Sequence, residues 1–393
     1  MRKFNIPNKY KSSVILKVKE KRKEEDPRGK DYTPSILDYK KVRFYIARHF
    51  GFCFGVENAI DIAYKAIKEN SDKRIFLLSE MIHNPTVNRE LELHGVKFIQ
   101  DTQGNNLIQW SELSHNDIVI VPAFGTTLEI ENKLNEIGIN LRKYNTTCPF
   151  VEKVWNKSAD LGRKGFTIII HGKETHEETR ATFSHSKTSA PSVIIRDIKE
   201  ADILSRIILG KIPQKEFYSI FKNKYSPEFN VETALQKIGV VNQTTMLASE
   251  TEEISELLKT TMIKKYGTKN INNHFADTRD TLCYATNNNQ KATLELIKSD
   301  VDLAIVVGGY NSSNTSHIVE LLQQKHPTYF ILDESKIISK NSIKHFLLDK
   351  QKETVTNNYL PSVEKIKIAI TSGASCPDAT VDKVIQRIIN VLQ

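Results

Sequence analysis

Residues 51–59 read GFCFGVENA, and two later stretches repeat their plan, TTCPFVEKVW at 146–155 and DTLCYATNNN at 280–289. In each stretch a cysteine precedes a segment with helical periodicity, and a short apolar run and a polar loop follow. A chain that repeats one unit three times is predicted to fold into three similar lobes. Three similar lobes can bring three thiolates to one axis.

The polar loops support this repeat, because they stand at nearly equal distances from the cysteines. The loops place His83, His176 and Ser312 at 30, 28 and 29 residues after the preceding cysteine. Strands are predicted for short apolar runs bounded by polar residues, at 75–78, 118–121, 166–170, 238–241, 301–307 and 366–370. Helices that alternate with such strands are typical of α/β folds with parallel sheets.

Loops of small polar residues follow several of these strands, such as PAFGTT after residue 121 and NQTTM after residue 241. Ligands of parallel sheets bind beyond the carboxyl ends of the strands. We therefore expect the loops to face a central cavity.

The chain is predicted to contain a basic N-terminal extension, 1–42, followed by three lobes at 43–147, 148–282 and 283–393. An insertion at about 205–232, with two prolines and clustered aromatic residues, is expected on the outside of the second lobe. Segment 334–362 is expected to be irregular and charged.

The composition excludes several classes of protein. At 393 residues, with 39% hydrophobic and 26% charged residues, the chain has an ordinary globular composition. No apolar run approaches the roughly 20 residues of a membrane span. The four cysteines form no C-x-x-C pair, which disfavours a disulfide scaffold or a zinc knuckle. A reducing cytoplasm is the expected location.

Much of the net charge of +9 is local, because residues 1–30 hold eleven Lys or Arg and four Asp or Glu. A basic arm of this kind can bind nucleic acid or an acidic partner. We favour a partly helical segment that lies on the protein surface, with no nucleic acid required.

The three repeated cysteines suit an iron–sulfur cluster, which accepts thiolate ligands from distant parts of a chain. Three thiolates on a four-iron cluster leave one iron open as a Lewis acid. The cysteines precede helices, and helix N-termini are expected to lower the thiol pKa. Buried, inert cysteines are the alternative. Cys376 lies outside the repeat and is interpreted as a small loop filler.

The polar loops offer groups for acid–base chemistry and for phosphate binding. Glu178 is the best candidate proton donor, because a carboxyl in a closed cavity near an anion can hold its proton at neutral pH. Its neighbour Glu177 is compatible with a solvated glutamate. The loop GGYNSSNTSH, from residue 308, suits a phosphate at a helix N-terminus. Such Ser and Asn clusters also serve as ordinary N-caps.

The chain resembles the 4-hydroxy-3-methylbut-2-enyl diphosphate reductases, the IspH/LytB family. The resemblance rests on eight strings that occur in the order of the family, namely GFCFGVENA, EMIHNPTVN, NTTCPFVEKVW, HEET, NQTTM, CYAT, GGYNSSNTSH and TSGASCPD. The likeness runs from about residue 43 to the C-terminus. The chain resembles the longer branch of this family, typified by plant and cyanobacterial members, in the strings PAFG, HGK with HEET, and NQTTM.

The resemblance implies a trefoil of three α/β lobes with pseudo-threefold symmetry around one 4Fe–4S cluster, with Cys53, Cys148 and Cys283 as ligands. It implies reduction of the diphosphate substrate to isopentenyl and dimethylallyl diphosphate, the last step of the methylerythritol phosphate route to isoprenoids. Glu178 would deliver protons, with Thr244 in the relay. The implied substrate-binding residues are His83, His176, Gln243, Ser312, Ser313, Asn314 and Ser375.

One residue departs from the pattern of the family. Many bacterial members carry histidine in an AHG motif, where this chain has Phe124. Phenylalanine cannot make the charge-assisted bond to a diphosphate. We expect either that Thr126 or Thr127 compensates, or that the diphosphate shifts toward the other lobes.

Three other functions remain open from the residues alone. One is a different three-lobed iron–sulfur enzyme, such as a quinolinate synthase-like dehydratase. Another is a non-enzymatic RNA-binding or redox-sensing protein built on the basic arm, and a weaker one is a metal-free cysteine hydrolase. For the reductase, the positive charge favours an acidic ferredoxin or flavodoxin as electron donor and a monomer or weak dimer.

Overall fold

The computed structural model describes residues 4–276, 278 and 281–393. These residues form two compact units. The first unit holds the described residues of Met1–Asp61, Ile82–Arg89 and Tyr284–Gln393, and the second holds those of Ile62–Met81 and Glu90–Cys283. None of the helices in the described part of the chain has the length and apolar character needed to cross a membrane.

The strands, in chain order, are β1 (Ser35–Asp38), β2 (Val42–Ile46), β3 (Ile75–Leu77), β4 (Lys97–Phe98), β5 (Ile118–Ile120), β6 (Thr167–His171), β7 (Ser192–Ile195), β8 (Ile238–Asn242), β9 (Phe275–Ala276), β10 (Leu303–Val307), β11 (Thr328–Ile331), β12 (Ile337–Ser339), β13 (Ser342–Leu347), β14 (Lys352–Asn357) and β15 (Ile366–Ser372). The α-helices are α1 (Ser13–Glu25), α2 (Phe54–Glu69), α3 (Pro85–Leu93), α4 (Leu128–Ile137), α5 (Pro149–Arg163), α6 (Glu177–Ser186), α7 (Ile198–Ile208), α8 (Phe217–Ile220), α9 (Val231–Ala234), α10 (Ala248–Tyr266), α11 (Ile271–His274), α12 (Tyr284–Ile297), α13 (Ser313–Gln323) and α14 (Asp378–Leu392).

The repeat seen in the sequence is present as local structure. Helices α2, α5 and α12 begin directly after Cys53, Cys148 and Cys283, and each leads to a strand, β3, β6 or β10. Every predicted strand lies within two residues of an observed one. The α/β class with parallel sheets is confirmed, and the pseudo-threefold arrangement around a central cavity stays a prediction.

The first unit is built on one mixed sheet with the order β1-β2-β15-β10-β11-β13-β12, and β14 pairs with β13. Its centre is parallel, with β15 beside both β2 and β10. Strands β10 and β15 are almost wholly buried, as is usual for parallel strands covered on both faces. The carboxyl ends of β10 and β15 carry the loops 308–312 and 373–377.

Segment 334–362 does not match the expectation of irregular structure, because it contains β12, β13 and β14 in antiparallel pairing. In β13, Ile343 and His345 are buried while Lys344 between them is partly exposed. A strand with one covered face alternates buried and solvent-facing residues. The solvent-facing residues are often charged, so such a strand can be mistaken for a charged loop in the sequence.

The second unit contains two parallel sheets with the orders β4-β3-β5 and β7-β6-β8-β9. Strands β6 and β8 are buried along their whole length. The phenylalanines of segment 205–232 pack into the core beside this second sheet, whereas Tyr218 is exposed. Phe217 and Phe221 are fully buried, and Phe217 stacks on Phe229 with the ring centroids 4.9 Å apart.

The N-terminal segment is anchored to the first unit. Ile15 of α1 is fully buried in the same core as the central strands. Arg22 is 4% exposed, and its guanidinium donates to the carbonyl oxygens of Ile46, Ala47 and Arg48 at 2.8 to 2.9 Å. Burial, with the nearby Arg48 charge, lowers the pKa of Arg22 to about 10. The three carbonyl oxygens at the end of β2 thus accept hydrogen bonds from the Arg22 side chain.

Replacing Arg22 by Ala is expected to destabilise the first unit by about 2 to 4 kcal/mol, because buried carbonyls lose their donors. The measurement is the thermal unfolding midpoint by circular dichroism. Lys21→Ala is the matched control, since Lys21 is exposed and forms a surface pair with Glu25 at 3.7 Å. Equal midpoints for the two variants would contradict an anchoring role for Arg22.

Candidate active site

Cys148 lies where the loop after α4 enters α5, and it is the N-cap residue of that helix. Its amide donates to the carbonyl oxygen of Ala123 at 3.0 Å. Burial raises the pKa of the Cys148 thiol to about 11, against the opposing effect of the Phe150 and Val151 amides. The expected lowering of this pKa by the helix N-terminus is therefore wrong, because desolvation outweighs the amides.

Two further acidic groups of the second unit lie close to the Cys148 sulfur. The negative charges of Cys283 and Glu178 both contribute to the raised pKa of Cys148. The amide of Cys283 donates to the carbonyl oxygen of Thr244 at 3.2 Å. The second unit thus gathers two of the predicted thiol ligands, the predicted proton donor and its predicted partner.

Glu178 is the second residue of α6 and is only 1% exposed. Its Oε1 accepts from the backbone amide of Thr244 at 2.6 Å, and its Oε2 accepts from the Thr244 hydroxyl at 3.0 Å. These two bonds fix the plane of the carboxyl group. Its neighbour Glu177 is also buried, at 7% exposure, so the interpretation of Glu177 as a solvated residue is wrong.

Gln243 links the loops around this carboxyl. Its Oε1 accepts from the Thr179 hydroxyl at 3.1 Å and from the Lys173 amide at 3.2 Å, while its Nε2 donates to the Thr245 hydroxyl at 2.7 Å. A Cβ atom on Gly172 would lie 2.6 Å from the Thr179 oxygen, so this close approach requires glycine. Gln243 therefore supports the loop that carries Thr244.

Asn242 was not singled out in the sequence, although the structure gives it a clear role. It is 1% exposed, and its Oδ1 accepts from the amide and the hydroxyl of Thr281 at 3.1 and 2.5 Å. These bonds hold the chain two residues before Cys283. The available signal was its place at the carboxyl end of β8, where buried polar side chains commonly serve a site.

His176 is the N-cap of α6, and its Nδ1 accepts from the amide of Glu178 at 3.1 Å. A neutral imidazole whose Nδ1 accepts carries its proton on Nε2, which leaves Nε2 as a donor. The ring of Phe124 lies edge-on to the His176 ring, with centroids 5.4 Å apart and planes at 84°. Phe124 therefore orients the ring of His176, a predicted diphosphate-binding residue.

The loop that carries Phe124 is held against helices α5 and α6 by Trp155. The indole stacks on His185 at a centroid distance of 3.7 Å and donates to the Thr182 hydroxyl at 3.1 Å. A Cβ on Gly125 would lie 2.5 Å from the indole, and Gly125 has a φ of +75°. The Thr127 hydroxyl caps α4.

The first unit gathers the other predicted residues at the ends of β10 and β15. The Cys53 amide donates to the carbonyl oxygen of Ala374 at 3.3 Å, and the Ala374 amide donates to Asn314 Oδ1 at 3.1 Å. The Ser375 hydroxyl donates to the carbonyl oxygen of His83 at 3.2 Å. Cys53, His83, Asn314 and Ser375 therefore belong to one connected group of loops.

Helix α13 begins in this group of loops. Ser312 is its N-cap and accepts from the amide of Thr315 at 3.3 Å, while Ser313 and Asn314 form its first turn. A Cβ on Gly309 would lie 2.3 Å from the His83 carbonyl oxygen, so glycine allows the two loops to approach. The N-terminus of an eleven-residue helix presents amide donors suited to a phosphate.

The parallel α/β layers, the thiols of Cys148 and Cys283 and the buried carboxyl of Glu178 on Thr244 indicate the active site of an enzyme. Comparison with known proteins identifies the family. Residues 44–389 match the LytB protein family. The chain is 40% identical over 384 residues to the 4-hydroxy-3-methylbut-2-enyl diphosphate reductase of Prochlorococcus marinus strain AS9601, which covers 97% of this chain and 91% of the relative.

The corresponding reductase of Picosynechococcus is 39% identical, over 98% of this chain and 90% of the relative. Among solved structures, a reductase from Plasmodium falciparum aligns with a TM-score of 0.61 at 22% identity, over 88% of each chain. Another, described as the terminal enzyme of the non-mevalonate pathway, aligns with a TM-score of 0.53 at 22% identity, over 88% of this chain and 99% of that structure.

The chain belongs to the LytB family of 4-hydroxy-3-methylbut-2-enyl diphosphate reductases. The predicted family and the oxidoreductase function are confirmed by the family match and the sequence relatives. The family assignment decides against a quinolinate synthase-like enzyme, an RNA-binding protein and a cysteine hydrolase.

Proposed function

We propose that this chain reduces 4-hydroxy-3-methylbut-2-enyl diphosphate to isopentenyl and dimethylallyl diphosphate. In this reaction the allylic C–O bond breaks and a C–H bond forms. Two electrons and two protons are consumed, and water is the other product. The observation that carries the proposal is the Glu178–Thr244 pair, which lies beside the thiols of Cys148 and Cys283 in one unit.

The residues of the second unit fit the iron–sulfur cluster that the family implies. Two neighbouring thiols form a soft donor set, and the amides of Phe150 and Val151 are directed at the Cys148 sulfur. We assign Cys148 and Cys283 as ligands and Cys53 as the third. When bound, a 4Fe–4S cluster with three such ligands supplies electrons and one open iron for the substrate hydroxyl.

Glu178 is the group that delivers a proton to the departing oxygen. The Thr244 amide fixes Oε1, so that Oε2 and the Thr244 hydroxyl, 3.0 Å apart, form the route for the proton. General acid catalysis by a positioned carboxyl contributes about 10²- to 10⁴-fold in rate. Burial of this pair excludes bulk water from the proton transfer.

The diphosphate is held by donors from several loops, and its binding energy positions the short carbon chain. His176 contributes its Nε2–H, since its Nδ1 accepts from the Glu178 amide. Helix α13 contributes its N-terminal amides. The proposed substrate-binding residues are His83, His176, Gln243, Ser312, Ser313, Asn314 and Ser375. For Gln243 the contribution is indirect, through the loop that it supports.

The test is anaerobic purification followed by an assay with the substrate and dithionite-reduced methyl viologen. We expect about four iron and four sulfide per chain, a broad absorption band near roughly 400 nm, and both diphosphate products by mass spectrometry. An iron-containing protein that leaves the substrate unchanged would refute the proposed reaction.

Protein electron donors proposed for this chain are an acidic ferredoxin or flavodoxin, in a reducing cytoplasm.

Phe124→Ala is expected to raise the KM for the diphosphate substrate about three- to tenfold, with a smaller change in kcat. Removing the ring takes away one of the contacts that orient the His176 imidazole, so its Nε2–H is less well oriented. Steady-state kinetics with the viologen donor measure the effect. Phe124→Leu keeps most of the packing volume and should lie between wild type and Phe124→Ala. A fall in kcat at unchanged KM would contradict this role.

A further inference from the structure

Tyr310 lies in the middle of the loop that leads from β10 into α13. The loop turns at residues 309–312, where the Ser312 amide donates to the carbonyl oxygen of Gly309 at 3.1 Å. Ser312 then caps α13, and Ser313 begins it. A contact that fixes the Tyr310 side chain therefore fixes the turn that presents two of the proposed diphosphate-binding residues.

The ring of Tyr310 packs between two phenylalanines of the main sheet of the first unit. It stacks on Phe346 of β13, with centroids 4.4 Å apart and planes at 12°. It also meets Phe330 of β11 edge-on, at 5.1 Å and 84°. Both phenylalanines are buried, and aromatic pairs in these geometries stabilise beyond the area that they bury. The sheet thus fixes the plane of the Tyr310 ring and the direction of its hydroxyl.

The Tyr310 hydroxyl is directed at the hairpin β13–β14. It donates to Glu353 Oε1 on β14 at 2.9 Å. Burial and the neighbouring Glu353 carboxylate raise the pKa of Tyr310, so the hydroxyl keeps its proton and remains a donor. A hydrogen bond to a carboxylate is stronger than one between neutral groups. This bond joins the loop to a strand that lies 43 residues further along the chain.

The Glu353 carboxylate is itself held in place from both oxygens. The Lys336 ammonium lies 2.5 Å from its Oε1, and the Lys344 ammonium lies 2.7 Å from its Oε2. Against the effect of burial, the hydrogen bonds from Lys336, Lys344 and Tyr310 lower the pKa of Glu353 to about 2. Glu353 is therefore an ionised acceptor with a fixed orientation.

We infer that Tyr310 and Glu353 are positioning residues for the diphosphate, because their hydrogen bond ties the binding loop 308–312 to the hairpin β13–β14. The inference rests on the proposed function, in which Ser312 and Ser313 bind the diphosphate. Donors that are already in place bind an anion more tightly than mobile ones, since less conformational entropy is lost on binding. The hairpin thus supports the binding loop.

Tyr310→Phe tests this role, because it removes the hydroxyl and keeps the ring stack on Phe346. In the full-length, reconstituted protein, the KM for the substrate and the Kd for inorganic pyrophosphate should both rise about three- to tenfold. The kcat should stay within about twofold of wild type, since the proton donor and the thiols are unchanged. Steady-state kinetics with the viologen donor and titration calorimetry with pyrophosphate measure these effects.

Tyr359→Phe is the matched control. It removes a hydroxyl from a buried tyrosine of the same unit, whose ring packs edge-on against Tyr329 at 5.7 Å. Tyr359 lies two residues beyond the end of β14, whereas Glu353 lies near its start. Both constants should equal those of wild type.

A double-mutant cycle distinguishes positioning through Glu353 from independent effects. Glu353→Ala should raise both constants at least as much as Tyr310→Phe does. Adding Tyr310→Phe to Glu353→Ala should change neither constant further, because the hydroxyl has already lost its acceptor.

Additive effects of the two substitutions would overturn the inference. So would a Tyr310→Phe protein with a lower thermal unfolding midpoint but an unchanged Kd for pyrophosphate, since the contact would then be structural only. A wild-type protein that does not reduce the substrate would refute the proposed function instead.

Discussion

Glu178→Gln is expected to lower turnover by about 10²- to 10⁴-fold while the iron and sulfide content stays at the wild-type level. The amide side chain has nearly the same shape as the carboxyl. Its oxygen can still accept from the Thr244 amide, which lies 2.6 Å from Oε1 in the wild type. Its Nε2 can donate to the Thr244 hydroxyl, which lies 3.0 Å from Oε2 in the wild type. The loop therefore keeps its hydrogen bonds, and only the transferable proton is lost.

The measurement is single-turnover product formation with viologen as reductant, together with the absorption spectrum of the same sample. Glu152→Gln is the matched control, because Glu152 is exposed in the first turn of α5, whereas Glu178 is buried. Its turnover should equal that of the wild type. Full activity in Glu178→Gln would remove this residue as the proton donor.

Cys148→Ser is expected to lose most of the bound iron and sulfide, and turnover should fall below about one hundredth of wild type. A serine hydroxyl is a harder and much more basic ligand than a thiolate. The site is also partly buried, and burial already raises the pKa of the thiol there to about 11. Because a hydroxyl ionises even less readily than the thiol, it cannot take over as an anionic ligand.

Chemical iron and sulfide analysis after anaerobic reconstitution measures this loss, and the same result is expected for Cys53→Ser and Cys283→Ser. Cys376→Ala is the matched control. Cys376 is fully buried in the apolar core of the first unit, and burial raises its pKa. Cys376→Ala should keep the wild-type iron content, and only its free energy of unfolding should fall. Retention of full iron in Cys148→Ser would exclude Cys148 as a ligand.

Much of the fold was predictable, because its central strands are apolar runs and its helices are amphipathic. Strand β6, for example, is Thr167–His171 and is buried at every position, so its composition alone distinguishes it from a loop. The hairpin β13–β14 was missed because charged and polar residues such as Lys344, Lys352 and Glu353 interrupt its apolar residues. Helix α1 was expected only as a partly helical tail, since its docking depends chiefly on Ile15 and Arg22.

The candidate site was predictable where a residue type carries its own chemistry. Glu178, Thr244 and the cysteines were predicted in this way, and the roles proposed for them follow from carboxyl, hydroxyl and thiol groups. Asn242 was missed because its role is to hold Thr281, a partner 39 residues away in the chain. The orienting contact between Phe124 and His176 could not be read from spacing either.

The sequence by itself determined the α/β class and the family, because periodicity, composition and motif order are local properties. It also predicted the groups to which we assign the chemistry. Tertiary structure alone decided the environment of those groups. The thiol of Cys148 has a raised rather than a lowered pKa because surrounding atoms exclude water more effectively than two amides stabilise charge. Desolvation depends on which distant residues pack around an atom, and no local pattern records that.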